Sequence, residues 1–523
     1  MNMDANKNMN RNMNKNMNRN GNKRQAGSAE NDVQKGETAG DEPRGDLLRE
    51  AKGNDDEAKK RPAGGTPAGE ARAHAAATRN SPVREAPVIV VIGGGYAGLQ
   101  TLFALKKELR LKAANKAERD SAADACGGHS GQRERTPTPA PVEGRAAGAR
   151  LILIDRHASH LRKVLLFRGA VHPEKMQVPF ANLARHGFEF LQADVRSIHS
   201  AERKLELKRP DGSRETLLYD RLVVATGSVP RTAIEERGGF DLSDPADTDR
   251  IRAALGAWRG AAVGAGAGGA DAAGQARKAA APEPEHRSPR SVVVGGGLSG
   301  IELAAEWADE LLRRRRDSGL AADTPVVTLV NAGERLLPQA SAEAGARLER
   351  ELRAAGVALL HGRRAVRFMD GQVELEGGER LPADLCVWAL GLQASPAAAS
   401  WGLPVDEAGR IVVDASLRIG GWDGCHAVGD CARIVDPATG RIEGMSCREG
   451  TSQAKWLAKA IRAELEGRPG PVYRSAPLVL CASLGPNRGF AWTRLHGRDL
   501  VLTGSLGLLA RRYTWKLVDL LPD

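Results

Sequence analysis

The chain is 523 residues long, with 76 Lys and Arg against 65 Asp and Glu and a net charge of +11. That length holds two or three domains with full cores, and no run reaches the roughly twenty apolar residues that a membrane span requires. The basic residues are dispersed with few aromatics beside them, which excludes a nucleic-acid-binding design. The six cysteines form no C-x-x-C pair and no His/Cys cluster of metal-ligand spacing, so free thiols in a reducing, cytoplasmic setting and no metal are expected.

Residues 1–86 begin with an Asn/Met/Lys/Arg tract and continue Gly-, Ala- and charge-rich with few large apolar residues. Such a segment cannot bury enough surface to offset its ordering entropy and reads as a disordered low-complexity tail. It lacks the apolar run of a secretory signal. Ordered sequence begins near Pro87. Val88 to Ile92 predict a strand that feeds Gly93-Gly94-Gly95-Tyr96-Ala97-Gly98, followed by a helical pattern over 99–105. In this arrangement the first glycine permits a tight strand-to-helix turn and the second admits backbone to a pyrophosphate. The last lets helix and strand pack closely, while the helix N-terminus offers unpaired N–H groups and positive dipole.

A polar, Pro/Gly-rich stretch over 113–148 reads as a surface insertion. The strand after it ends at Asp155, an acid placed to accept hydrogen bonds from an adenosine ribose once the insertion loops out. Alternation over 187–220, with Pro210-Asp211-Gly212 as a turn, predicts a β-meander. Residues 219–227 read as a buried strand ending in a glycine turn. A connection over 236–290 is Ala/Gly/Pro-rich from about 261 to 289. About two hundred residues after the first glycine loop, Val292-Val293-Val294 lead into Gly295-Gly296-Gly297-Leu298-Ser299-Gly300. This second unit runs over 291–399, with strands at 326–330 and 385–390. Arg313 to Arg316 close its helix, where cations complement the dipole and face solvent. The chain returns through a strand at 426–428 to Gly429-Asp430 and a helix over 448–465. It ends in a basic amphipathic stretch, 506–521. Two fingerprints in one chain predict two dinucleotides held together, one passing electrons to the other. The fold class is α/β: two Rossmann-like dinucleotide-binding domains and a short C-terminal α+β region.

These motifs in combination resemble the two-dinucleotide flavoproteins, and among them the type II NADH dehydrogenase-like pyridine nucleotide-disulfide oxidoreductases, over roughly residues 87–520. The resemblance implies an FAD site built from Gly93, Gly95, Tyr96, Ala97, Gly98, Asp155, Arg156, Lys163 and Val195. To these it adds Ala225, Thr226 and Gly227 of the exit motif Ala225-Thr226-Gly227-Ser228-Val229-Pro230, and Gly429 and Asp430 of the late motif Ala427-Val428-Gly429-Asp430, whose aspartate serves the flavin's ribityl or pyrophosphate region. It implies an NADH or NADPH site at Gly295, Gly297, Leu298, Ser299, Gly300, Asn331 and Gly391. The FAD domain is then discontinuous, 87–235 plus 400–465, with the nicotinamide domain between and a C-terminal region over 466–523. Glu302 is implied near the nicotinamide–flavin junction, steering hydride or proton transfer. The implied activity passes hydride from NAD(P)H to FAD and electrons on to a quinone-like acceptor, without proton pumping.

The sequence also departs from that pattern. No cysteine lies in 99–109, and Cys425 and Cys431 are six residues apart, so thiol relay chemistry is not expected. Asn331 stands where an NADH-preferring enzyme carries an acid, with Arg335 nearby, which leaves NADPH open beside a slight preference for NADH. The quinone-facing pair of glutamines is missing from Cys447 to Ser452. An acceptor that is a ferredoxin-like or oxygenase protein therefore stays open, as does a redox sensor with little turnover. The 506–521 stretch fits either a membrane interface or a helix packed on the FAD domain or across a homodimer. Lys163 is placed equally well at the isoalloxazine or in solvent, and His157 and His160 at the surface or a cofactor edge.

Overall fold

The computed structural model describes residues 86–110, 145–146, 148–231, 236–257, 290–318 and 325–518. The tail up to residue 85, most of the 113–148 insertion and the 261–289 stretch lie outside the described residues.

Val88–Ile92 is a run of β-branched residues buried on both faces, as the centre of a parallel sheet requires. It pairs in parallel with Ala149–Asp155 on one side and Arg221–Val224 on the other. Glu189–Gln192 extends the sheet beyond Ala149–Asp155, and Cys425–Ala427 joins beside Arg221–Val224. The helix over 96–110 follows the central strand. The meander appears as three antiparallel strands, Asp194–His199, Lys204–Lys208 and Arg214–Leu218, with Pro210 to Gly212 between the last two.

The second sheet repeats the plan. Ser291–Val294 lies between Val327–Val330 and Leu385–Trp388, all parallel, with Val357–Leu360 and Phe240–Asp241 at the edges. Its helix, Leu298–Asp317, carries a face buried along its length. The two sheets are joined by a short antiparallel ribbon: Ser228–Pro230, leaving the first, pairs with Leu392–Ala394, leaving the second. A three-stranded antiparallel sheet, Val479–Ser483, Gly489–Leu495 and Arg498–Thr503, completes the C-terminal region with the helix Gly504–Val518.

The helix end at Arg313–Arg316 is less solvated than its sequence suggests. Arg315 is buried, and Arg313 and Arg314 both pair with the buried Glu310. The helical spacing brings i+3 and i+4 cations over that carboxylate. One turn earlier, Glu306 accepts a contact at 3.0 Å from Nε2 of His172, which follows the short helix Leu166–Gly169. Leu166, Phe167, Ala170 and Val171 pack in the same core as Ile301, Trp307 and Leu311, so His172 is carried against the second-sheet helix.

The Glu306 carboxylate raises the His172 pKa above its ordinary value, against the opposing effect of partial burial. Asp309, Glu310 and Arg168 also act in this neighbourhood. A raised folded-state pKa adds stability fully below the unfolded value of about 6.5 and loses it as pH rises through the folded one. The melting temperature of the native chain should therefore exceed that of His172→Gln at pH 6, and the gap should close by pH 9. A gap that does not change with pH contradicts this.

Candidate active site

The two glycine loops are near copies at atomic detail. A Cβ on Gly98 would fall 1.9 Å from the Gly93 carbonyl oxygen, and one on Gly300 1.9 Å from that of Gly295. Gly93 and Gly295 have φ of +104° and +125°, and a Cβ on either would strike a carbonyl of the neighbouring strand exit, Ala225 or Ala389. Gly95 and Gly297, in contrast, face open space. Each loop is therefore closed on the protein side and open where a pyrophosphate would approach the helix N-terminus, with Tyr96-Ala97 and Leu298-Ser299 as its first helical residues. The residues present fit two bound dinucleotides.

Around the first loop, Asp155 links strand to glycine turn. Its Oδ2 accepts the Gly94 N–H at 2.7 Å and its Oδ1 the His157 N–H at 2.8 Å. His160, buried beneath the loop, contacts the Gly94 carbonyl through Nδ1 at 2.8 Å. Burial pulls its pKa down to about 4, so the ring is neutral and the proton sits on Nδ1, because a carbonyl can only accept. His160 is a loop support, while His157 is exposed.

Ala97 meets the late motif. A Cβ on Gly429 would lie 2.7 Å from its side chain and one on Gly450 3.3 Å away. Beside this junction the Ser228 hydroxyl donates to Asp430 Oδ2 at 2.6 Å, and Lys163 Nζ donates to the Ser228 carbonyl at 3.0 Å. Burial raises the Asp430 carboxyl, opposed by Ser228 and Lys163. Burial lowers the Lys163 ammonium, opposed by Asp430. Ala225 is buried, and Gly227 turns with φ of +67° and accepts the Ser395 N–H at 3.1 Å. Arg156 is exposed and only its carbonyl is engaged, by Gln192; the Val195 carbonyl accepts from Trp401 Nε1.

At the second loop Asn331 directly follows its strand, and its Nδ2 lies within hydrogen-bond distance of the Gly333 and Arg335 carbonyls and of His361 Nδ1. Arg335 is not free for a phosphate, contrary to its nearness in sequence. Its guanidinium donates to the carbonyls of Leu337, Pro338 and Ala340 and so folds its own loop. Gly391, with φ of +83°, is exposed at the exit of the second sheet. Glu302, only 3% exposed, receives three donors: Arg511 Nε at 2.7 Å, Arg511 Nη2 at 2.9 Å and the Ser483 N–H at 2.8 Å.

Residues 87–454 match the model of the pyridine nucleotide-disulphide oxidoreductases. The chain belongs to this family. It is 25% identical over 441 residues to the demethylphylloquinone reductase NdbB of Synechocystis, a match covering 82% of this chain and 91% of that protein. It is 27% identical over 349 residues to the type II NADH:quinone oxidoreductase of Haemophilus influenzae, covering 62% and 76%. In fold it resembles NDH2 of Plasmodium falciparum in complex with NADH, with a TM-score of 0.58 at 14% identity over 83% of this chain and 95% of that one.

Unlike the disulphide-using members that name the family, this oxidoreductase has no thiol pair at work among its described residues. Cys386, Cys425, Cys431, Cys447 and Cys481 are free. Burial pushes Cys386 up to about 12 and Cys447 and Cys481 up to about 11, which favours the protonated thiol at neutral pH. No helix among the described residues is long and apolar enough to cross a membrane.

Sequence reading missed three groups. Gln453 lies one residue beyond the stretch compared with the family's glutamine pair. Its buried Oε1 accepts the Gly429 N–H at 2.8 Å, so a glutamine does stand at the late motif. Ser228 was legible only as part of the exit motif, without its bond to Asp430. Arg511 read as part of an amphipathic surface, with no local signal that it faces inward.

Proposed function

We propose that this chain is an FAD-dependent NAD(P)H:quinone oxidoreductase, with FAD in the first cradle and NAD(P)H in the second. The observation that carries the reading is the pairing of Ser228–Pro230 with Leu392–Ala394, which ties together the exits of the two cradle sheets. Two dinucleotides seated at sheets so joined extend their redox ends toward one junction, where ligands of open α/β sheets bind. When bound, the flavin supplies the chemistry, accepting a hydride equivalent and handing its electrons to an acceptor.

The chain's own part is to bind, orient and exclude water. Loop amides and helix N-termini hold the pyrophosphates. Asp155 and Asp430 offer carboxylate oxygens to cofactor hydroxyls, and Lys163 adds a cation beside Asp430. Glu302, just past the first turn of the second cradle's helix, steers transfer at the nicotinamide. Asn331 places no charge against a 2′-phosphate, but Arg335 is not available to bind one, so NADH is favoured over NADPH. The quinone reading rests on the relatives named as quinone reductases, one matched over 82% of this chain.

A second observation concerns where an apolar quinone would be met. Leu506, Leu509, Tyr513 and Leu517 are exposed along one side of the C-terminal helix. Arg512 and Leu509 line a cleft with Pro486, Asn487 and Leu506. An apolar stripe flanked by Arg512 and Lys516 suits an anionic membrane surface, while the opposite side of the helix packs on the C-terminal sheet.

NADH should bleach the yellow FAD-loaded protein in stopped flow, and a short-chain menaquinone should restore the colour. Gly300→Ala, whose added methyl strikes the Gly295 carbonyl oxygen, should slow NADH bleaching about a hundredfold while dithionite still bleaches it. Fast bleaching by Gly300→Ala, or no recovery with any quinone, contradicts the proposal. Full-length protein should sediment with anionic vesicles, and a variant with Ser at 506, 509, 513 and 517 should not. Equal sedimentation of the two rejects the membrane contact.

A further inference from the structure

We infer that Arg511 is a positioning residue for Glu302, fixing the direction and the charge of its carboxylate, and that it does so only while the C-terminal helix is seated. The inference rests on the reading of the second cradle as the nicotinamide site.

Glu302 lies two residues beyond Gly300, just past the first turn of the helix that forms the cradle. The helix dipole fades beyond the first turn, and burial works against the charged form. Burial pushes this carboxyl above the ordinary carboxylate range, and Arg511 and the Ser483 amide pull against it. All three hydrogen-bond partners of Glu302 are donors. A protonated carboxyl would need an acceptor for its O–H, so this geometry suits the carboxylate. The other titratable groups acting on it are Glu306, on its own helix, and Cys481, on the strand Val479–Ser483. Neither supplies a positive charge. Arg511 does, through a planar fork that matches both oxygens.

Arg511 is itself held in place. Its guanidinium lies 5.1 Å from the Trp515 ring centroid, one turn along the same helix. Trp515 packs 6.2 Å from Phe167. The helix meets its sheet at two glycines in tight contact: a Cβ on Gly507 would lie 2.2 Å from the Gly489 carbonyl oxygen. The inner side of this helix thus carries the cation that answers Glu302, while its outer side carries the exposed stripe of Leu506, Leu509, Tyr513 and Leu517. Lifting the helix withdraws Arg511, and Glu302 then takes a proton from solvent.

The test follows the Glu302 carboxyl directly in FAD-loaded protein without nucleotide, by infrared titration with Glu302→Gln as the reference. Arg511→Met should raise its proton affinity at least tenfold over the native chain, with Arg511→Lys between them. NADH bleaching by Arg511→Met should rise with pH at that same new midpoint. Arg511→Met/Glu302→Gln, which removes both charges together, should show no such rise and serves as the folding control. An unmoved titration in Arg511→Met, or a bleaching profile that coincides with the native one, overturns the inference. If the native protein takes up FAD but NADH does not bleach it, the nicotinamide reading fails, and the carboxyl titration still decides whether Arg511 sets the charge of Glu302.

Discussion

Everything functional in this chain depends on a small constraint, the ribbon of Ser228–Pro230 against Leu392–Ala394. Each of its strands leaves a parallel sheet through a glycine in the left-handed region, Gly227 or Gly391. Ordinary side chains resist that backbone, so these glycines let two buried strands turn out of their sheets and pair with each other. The Ser395 N–H on Gly227 extends the tie. Ser228, the first residue of the ribbon, also donates to Asp430 and accepts from Lys163. The element that joins the sheets is thus continuous with the polar groups of the first cradle.

A second theme is the helix Leu298–Asp317. It buries Glu302, Glu306 and Glu310 at successive turns, and each is answered by a different partner: Arg511, His172 where protonated, and Arg313 with Arg314. Buried ion pairs are weak evidence of net stability, because desolvation opposes them, but losing one partner is expensive at about 3–5 kcal/mol. Their effect is to penalise any arrangement in which the C-terminal helix or the segment around His172 is elsewhere. The helix that forms the second cradle is therefore also the place where distant segments are registered.

The glycine loops were legible in the sequence because their chemistry is local: each glycine answers a contact within the same turn or with the adjacent strand. Asp155 stood out once the residues before it were read as an insertion, but its bond to the Gly94 amide carried no signal of its own. The pairs Glu302–Arg511, His172–Glu306 and Ser228–Asp430 were not. Their partners are separated by 209, 134 and 202 residues, and no periodicity links them. Arg335 shows the opposite failure, since nearness in sequence said nothing of the carbonyls that occupy its guanidinium. Gln453 carries no local signal of its reach to the Gly429 amide, 24 residues away.

The most direct measurement of the central claim, that the two cradles bring their redox rings into contact, is the absorption spectrum of dithionite-reduced, FAD-loaded protein titrated with NAD+. Stacked rings predict a saturable long-wavelength charge-transfer band that Gly300→Ala lacks. A spectrum that stays featureless at saturating NAD+ would contradict it.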